Sequence, residues 1–357
     1  MLTEAEADEL RASCTRFLGG HGPVRAADLL ATIPPDTVVD RYGDGGVVTD
    51  LEAEVAALLG KEAAVFLPSG VMAQQVVLRV HAERRGRRTV LHHPMCHLEQ
   101  HEGRALERLQ GLLGRPVGEA HRLLVAADLE AVAEPPAALL IELPQRDLGG
   151  AQPDLDDVAA QVAWAHAHGA AAHLDGARLW ESSAGYGVPP AEIAALFDTV
   201  YVSFYKGIGA LAGCCVAGDA DVIAEVREWR RRMGGTLFGL WPLAASAHSL
   251  LAERLSRMPR YLEHTRAIAA ALAGTPGVRV VPDPPQTPML HVLLEIDEVT
   301  VDVNVRRLAA DGIWSLRGAS PTADPAVLRF ELALGDATLA FTPEEAAAVI
   351  AGLIRPV

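Results

Sequence analysis

Two residues separated by one expected helix and one expected strand could do chemistry together: Asp175, in Asp175-Gly-Ala-Arg178, and Lys206, in Ser203-Phe-Tyr-Lys-Gly-Ile-Gly209. Each stands at the end of a short apolar run, and the glycines that follow let the backbone pass close to a bulky group. An aspartate in such a turn is, taken alone, more often a helix cap. With an amine at the neighbouring strand end it can do more. The amine can condense with an aldehyde to an imine, and the carboxylate can keep a pyridine nitrogen protonated, so that the ring accepts the electrons of a bond broken at an amino acid's α-carbon. That combination points to pyridoxal 5'-phosphate (PLP), carried on Lys206. Ser69-Gly70, between an expected strand and an expected helix, offers the phosphate a hydroxyl, backbone N–H groups and the positive end of a helix dipole.

These side chains need a scaffold that brings them to one place. From about Asp50 to Val226, short apolar runs alternate with helical patterns, the mark of a parallel sheet wrapped by helices. The expected strands are Ala63–Pro68, Ala137–Leu143, Ala171–Asp175 and Thr199–Phe204, with helices over Met72–Val80 and Leu155–His168 and one opened by Pro189 and Pro190. Ligands of open α/β sheets bind beyond the carboxyl ends of the strands. Ser69, Gln145, Asp175 and Lys206 all fall at or just past such ends.

The C-terminal part has an α+β texture: a helix near Pro242–Leu272, strands at Val278–Val281, Leu290–Glu295 and Val327–Leu332, and a helix over Val301–Asp311. The fold class expected is therefore α/β, a large domain with a mostly parallel sheet plus a smaller α+β C-terminal domain. The boundaries are drawn at 1–40 for an N-terminal helical segment, 41–245 for the large domain and 246–357 for the small one.

Composition narrows the partners. The 31 basic and 46 acidic residues leave a net charge of −15, with no long basic run to neutralise a row of phosphates, so nucleic acid is not expected. Arg84, Arg85, Arg87, Arg88 and the Arg230–Arg232 triplet read as solvated helix ends. No segment is long and apolar enough to span a bilayer, and none resembles a leader, so no membrane partner is expected and the chain reads as cytoplasmic. Cys14, Cys96, Cys214 and Cys215 lack a paired spacing and read as reduced thiols.

Taken in order, the segments Tyr42-Gly-Asp44, Leu58–Met72, Cys96-His97-Leu98, His168–Trp180, Lys206-Gly207 and Met233-Gly-Gly235 resemble the threonine aldolase and aromatic amino acid β-eliminating lyase group of fold-type I PLP enzymes, whose fold is aspartate-aminotransferase-like. The resemblance makes Lys206 the imine lysine, Asp175 the partner of the ring nitrogen, and Ser69, Gly70 and Val71 the phosphate segment. It places His97 on the ring face and Arg178 against the cofactor, gives Arg178 and Arg329 to the substrate carboxylate, where bidentate pairing is strong, and counts Gln145 among the substrate-binding residues. Ser13 matches an N-terminal serine of the site. Val71 stands where the family carries threonine, Gln145 where it carries histidine near the substrate hydroxyl, Tyr205 where a serine precedes the lysine, and Phe238 where an arginine follows the Gly-Gly pair. The resemblance also implies a homodimer or homotetramer with shared active sites, Tyr42 and Arg230–Phe238 being the segments expected to reach across.

The expected reaction is retro-aldol cleavage of a small β-hydroxy-α-amino acid to glycine and an aldehyde, with Lys206, His97 and Asp175 as catalytic residues. For this the base must take the hydroxyl proton, and His97 is the best remaining candidate. β-Elimination or racemisation, with Lys206 moving the α-proton, is the nearest alternative on the same scaffold. A non-catalytic PLP-binding protein is another. From a different class, His93, His97 and His101 recur every four residues and could line one helix face as metal ligands, although Pro94 disturbs that helix.

Overall fold

The computed structural model of the chain describes residues 2–23, 25–316 and 318–356. They form two compact units, one of residues 26–147 and 152–256, the other of residues 2–23, 25, 148–151, 257–316 and 318–356.

The larger unit is built on seven strands: β1 (Ala63–Leu67), β2 (Thr89–His92), β3 (Leu113–Pro116), β4 (Ala138–Glu142), β5 (Ala171–Gly176), β6 (Thr199–Ser203) and β7 (Cys214–Gly218). Their order across the sheet is β1-β7-β6-β5-β4-β2-β3. β7 alone runs against its neighbours, so the sheet is mostly parallel, as expected. Every residue of β4, β5, β6 and β7 is buried, which is why these strands read as continuous apolar runs and not as alternating ones. The helices that matter below are α1 (Gly46–Leu59), α2 (Gly70–Arg85), α3 (His97–His101) and α4 (Ala220–Arg232).

Most expected elements lie within a residue or two of the observed ones; the exceptions have local causes. α2 starts two residues before the expected Met72 and runs on to Arg85, ending at Gly86 in the left-handed conformation (φ 62°). Its last turn carries charges outside the apolar pattern, so periodicity alone stops short. β2 and β3 are additions; β3 is largely exposed and offers no apolar run to detect. β7 is built from small residues, and Gly213 before it is held at φ +95°, with Phe66 so close that a Cβ would lie 2.2 Å from its ring.

The basic clusters also differ from expectation. Arg84 does pair at the surface with Asp221 and Glu225, but Arg87 donates to the carbonyls of Pro136 and His168. Arg230 is not a solvated helix end: it is only 2% exposed, and its Nη1 donates to the Phe66 carbonyl at 2.7 Å. The Phe66 N–H donates to the Glu52 carboxylate, also at 2.7 Å, and Arg227 pairs with the other oxygen of Glu52. Because β1 is an edge strand, its outward backbone groups would otherwise stay open; α1 and α4 supply one acceptor and one donor to close them.

The smaller unit contains a four-stranded antiparallel sheet of β8 (Val278–Val281), β9 (Met289–Glu295), β10 (Ser320–Pro321) and β11 (Val327–Ala333), in the order β10-β11-β9-β8. Helix Glu298–Ala310 belongs to it, as does helix Glu4–Ser13, which opens with a capping box between Thr3 and Glu6. Among the described residues no helix is long and apolar enough to cross a membrane.

The role of Arg230 can be tested by substitution. Arg230→Met should leave a buried carbonyl without its donor and lower unfolding free energy by roughly 1–3 kcal/mol in urea titration, whereas Arg231→Met, at an exposed neighbour, should change it by less than about 0.5 kcal/mol. Equal effects would mean that the edge contact carries no stability.

Candidate active site

A cleft opens where β4, β5 and β6 end and α2 begins. Glu142, Asp175 and Tyr201 are register partners across these three strands and all line it. Lys206, Arg178 and His97 line it too, as do Gly70 and Val71 at the start of α2. The sequence-predicted lysine and aspartate therefore share one cavity.

Asp175 is 2% exposed, and its Oδ1 accepts from the Ala177 N–H at 3.2 Å. Burial pushes its carboxyl above the usual range, while the charges of His97 and Lys206 pull it back. Glu142, its strand neighbour, is likewise raised, first by burial and then by the negative charge of Asp175. Glu142 accepts from the N–H groups of His97 and Arg146, at 2.9 and 3.0 Å. Two carboxyls in one dry site resist double ionisation, so a cation placed against Asp175 is what would let it stay charged.

His97 opens the short helix α3, with its Nδ1 3.1 Å from Glu102 Oε1. The carboxylate can only accept, so in the neutral imidazole the proton sits on Nδ1 and Nε2 is left as an acceptor. Its pKa is raised, chiefly by the Glu102 hydrogen bond, against the opposing effect of burial. Glu102 is itself held by Gln75, whose Nε2 donates at 2.9 Å. Arg178 pairs with the buried Glu181 at 3.1 Å, which fixes its guanidinium at the cleft wall. The Lys206 Nζ lies 5.3 Å from the Tyr205 ring centre.

Gln145 lines a second small cavity that shares Glu142 with the cleft, its amide donating to the Met95 carbonyl at 2.8 Å and to Glu142 at 3.2 Å. Ser13 and Arg329 belong to the smaller unit, where the Ser13 hydroxyl donates to the Leu10 carbonyl and Arg329 faces Leu293 in the β9–β11 register. The three spaced histidines take different partners, although the rings of His97 and His101 lie 5.2 Å apart. His93 precedes α3 and binds backbone carbonyls of Glu119 and Arg122, His97 meets Glu102, and His101 meets Asp147. Among the described residues no group of three or more His, Cys, Asp or Glu side chains could hold a metal ion.

Sequence reasoning missed Glu102, Tyr201 and Gln74. Tyr201 was detectable as an inward position on a strand, and Gln74 as one turn beyond Gly70 on α2. Glu102 follows a helix of five residues, and nothing in the local pattern marks it.

The residues fit PLP. Ser69 is the N-cap of α2, yet its side chain makes no bond to the helix, so the first-turn N–H groups have no protein cap and suit a phosphate. Gly70 has no room for a side chain, since a Cβ would lie 2.2 Å from the Tyr201 hydroxyl. A buried carboxylate that needs a cation and an amine in the same cavity complete the set.

Comparison with known proteins places the chain among relatives. A family model described as beta-eliminating lyase matches residues 28–295. A low-specificity L-threonine aldolase of Arabidopsis thaliana is 28% identical over 281 residues, covering 76% of this chain and 78% of that protein. The solved structure of a provisionally assigned L-allo-threonine aldolase from Listeria monocytogenes superposes with a TM-score of 0.90 at 37% identity, covering 98% of both chains. A threonine aldolase from Leishmania major shares the fold, with a TM-score of 0.72 at 18% identity over 92% of this chain and 94% of that one.

The His97–Glu102 contact makes a prediction that needs no ligand. Glu102→Gln removes the charged acceptor and should lower the imidazole pKa of His97 in an NMR titration; an unchanged midpoint would show that the hydrogen bond does not set it.

Proposed function

The chain belongs to the beta-eliminating lyase family, and on that footing we propose that it is a PLP-dependent carbon–carbon lyase cleaving threonine-like β-hydroxy-α-amino acids to glycine and an aldehyde. The observation that carries the reading is the single cleft shared by Lys206, Asp175 and His97. The names borne by the Arabidopsis and Listeria relatives support the substrate class.

When bound, PLP supplies a sink for the electron pair released as the substrate's Cα–Cβ bond breaks. The protein's share is positional and protonic. Lys206 would hold the cofactor's aldehyde carbon, and Asp175 its ring nitrogen, whose positive charge answers the cost of burying that carboxylate. The N–H groups of Gly70 and Val71, with the Ser69 hydroxyl, would hold the phosphate at the positive end of α2. Arg178, steadied by Glu181, would take the substrate carboxylate. His97 would accept the β-hydroxyl proton on Nε2, the Glu102 carboxylate stabilising the imidazolium that forms. Glu142, as the more protonated of the two neighbouring carboxyls, would keep its negative charge away from Asp175.

We further propose a cytoplasmic homodimer or homotetramer. Tyr42 and Phe238, 55% and 68% exposed and packed edge to face 5.4 Å apart, offer an apolar surface for a second copy.

The reaction is tested with threonine, allo-threonine and phenylserine. Glycine and the matching aldehyde are expected, Lys206→Ala should abolish turnover, and His97→Asn should lower kcat by about 10²–10⁴. Release of a 2-oxo acid and ammonia instead would overturn aldol cleavage in favour of elimination.

A further inference from the structure

Behind the cleft wall, a row of buried polar side chains connects α2 to the sheet. Arg85 Nη1 lies 3.4 Å from His81 Nδ1, and His81 Nε2 lies 2.8 Å from Thr199 Oγ1. His173 Nδ1 lies 2.8 Å from the same hydroxyl, and His173 Nε2 lies 2.9 Å from Gln74 Oε1. His81, Thr199, His173 and Gln74 are all at most 1% exposed. Gln74 also lines the cleft, and its Nε2 is buried with no hydrogen-bond partner among the described residues.

The protons in this row have only two consistent orders. Thr199 has one hydroxyl proton to give, so one histidine receives it and the other must donate to the oxygen. Burial holds both imidazoles neutral, His173 down to about 3 and His81 well below its usual value, so each has one donor nitrogen and one acceptor nitrogen. Arg85 decides between the two orders, because a guanidinium can only donate. His81 Nδ1 must then accept, so His81 Nε2 donates to Thr199, Thr199 donates to His173 Nδ1, and His173 Nε2 donates to Gln74 Oε1. In the reverse order an N–H of His81 would face an N–H of Arg85. The carboxamide of Gln74 is thereby fixed with its oxygen toward the sheet and its NH₂ left over.

A buried amide N–H without an acceptor costs about 1–3 kcal/mol, and Gln74 lines the cleft, where a bound group could supply one. We propose that Gln74 is a ligand-contacting residue, its Nε2 donating to an oxygen acceptor of bound PLP, and that the hydrogen-bond chain from Arg85 keeps the amide turned to donate. The inference rests on the PLP reading above and adds to it a contact and a positioning device.

The test measures PLP release from the holoenzyme by equilibrium dialysis, with urea midpoints run in parallel. Gln74→Met keeps the length of the side chain but has no donor, and PLP affinity should fall about tenfold. Arg85→Met leaves the cleft residues in place and removes the group that selects the orientation; with the competent orientation reduced to about half, affinity should fall about twofold. Wild-type affinity in Gln74→Met overturns the proposed contact, and wild-type affinity in Arg85→Met overturns the one-way chain. Should Gln74→Met fail to fold, the Arg85→Met result still decides whether the amide's orientation matters to PLP. A wild-type protein that holds no PLP would defeat the underlying reading, an outcome distinct from PLP binding that is indifferent to both substitutions.

Discussion

The cleft is organised around a carboxylate that is hard to keep charged. Asp175 sits at the end of a strand with both faces covered, beside a second buried carboxyl at the same register of the next strand. Taking an ionised carboxylate out of water costs several kcal/mol unless a cation or hydrogen-bond donors compensate. Here the protein provides one backbone N–H and two nearby basic side chains, His97 and Lys206, which together oppose burial without cancelling it. A site that remains short of positive charge is prepared for a cationic ring, and the strand ends, the histidine and the lysine are arranged around that deficit.

How much of this was legible in the sequence follows from how each residue is held. Asp175 and Lys206 could be read because strand ends leave a clear trace, an apolar run closed by a polar residue and glycine. The Ser69-Gly70 junction between β1 and α2 could be read for the same reason, as a strand–Ser-Gly–helix turn. Gln145 satisfies that same rule, but a strand end says where a side chain starts and not which neighbour captures it; Glu142 and the Met95 carbonyl hold its amide. His97 was located from the family likeness, but its Glu102 partner depends on a five-residue helix followed by a turn, a geometry with no periodic signal.

The basic residues show the same limit from another side. A run such as Arg230-Arg-Arg reads as one solvated feature, yet on a helix successive side chains point about 100° apart. Arg231 faces solvent while Arg230 turns inward to the sheet edge. Similarly, Arg85 belongs to a cluster that looked like a charged helix terminus, but it ends a buried row of imidazoles and a hydroxyl. Charge clusters in sequence give composition; the helical phase and the packing partners decide which member is structural.

The side chains of Glu52 and Arg230 on the Phe66 backbone have a consequence for assembly. A strand at the margin of a sheet normally invites a further strand from another molecule, and here the N–H and C=O that would form the first rungs of that ladder are already engaged. At Phe66 the margin of β1 is closed to sheet extension, so a second copy could not pair its backbone there. The same two contacts that finish the fold therefore restrict the ways in which it can multiply.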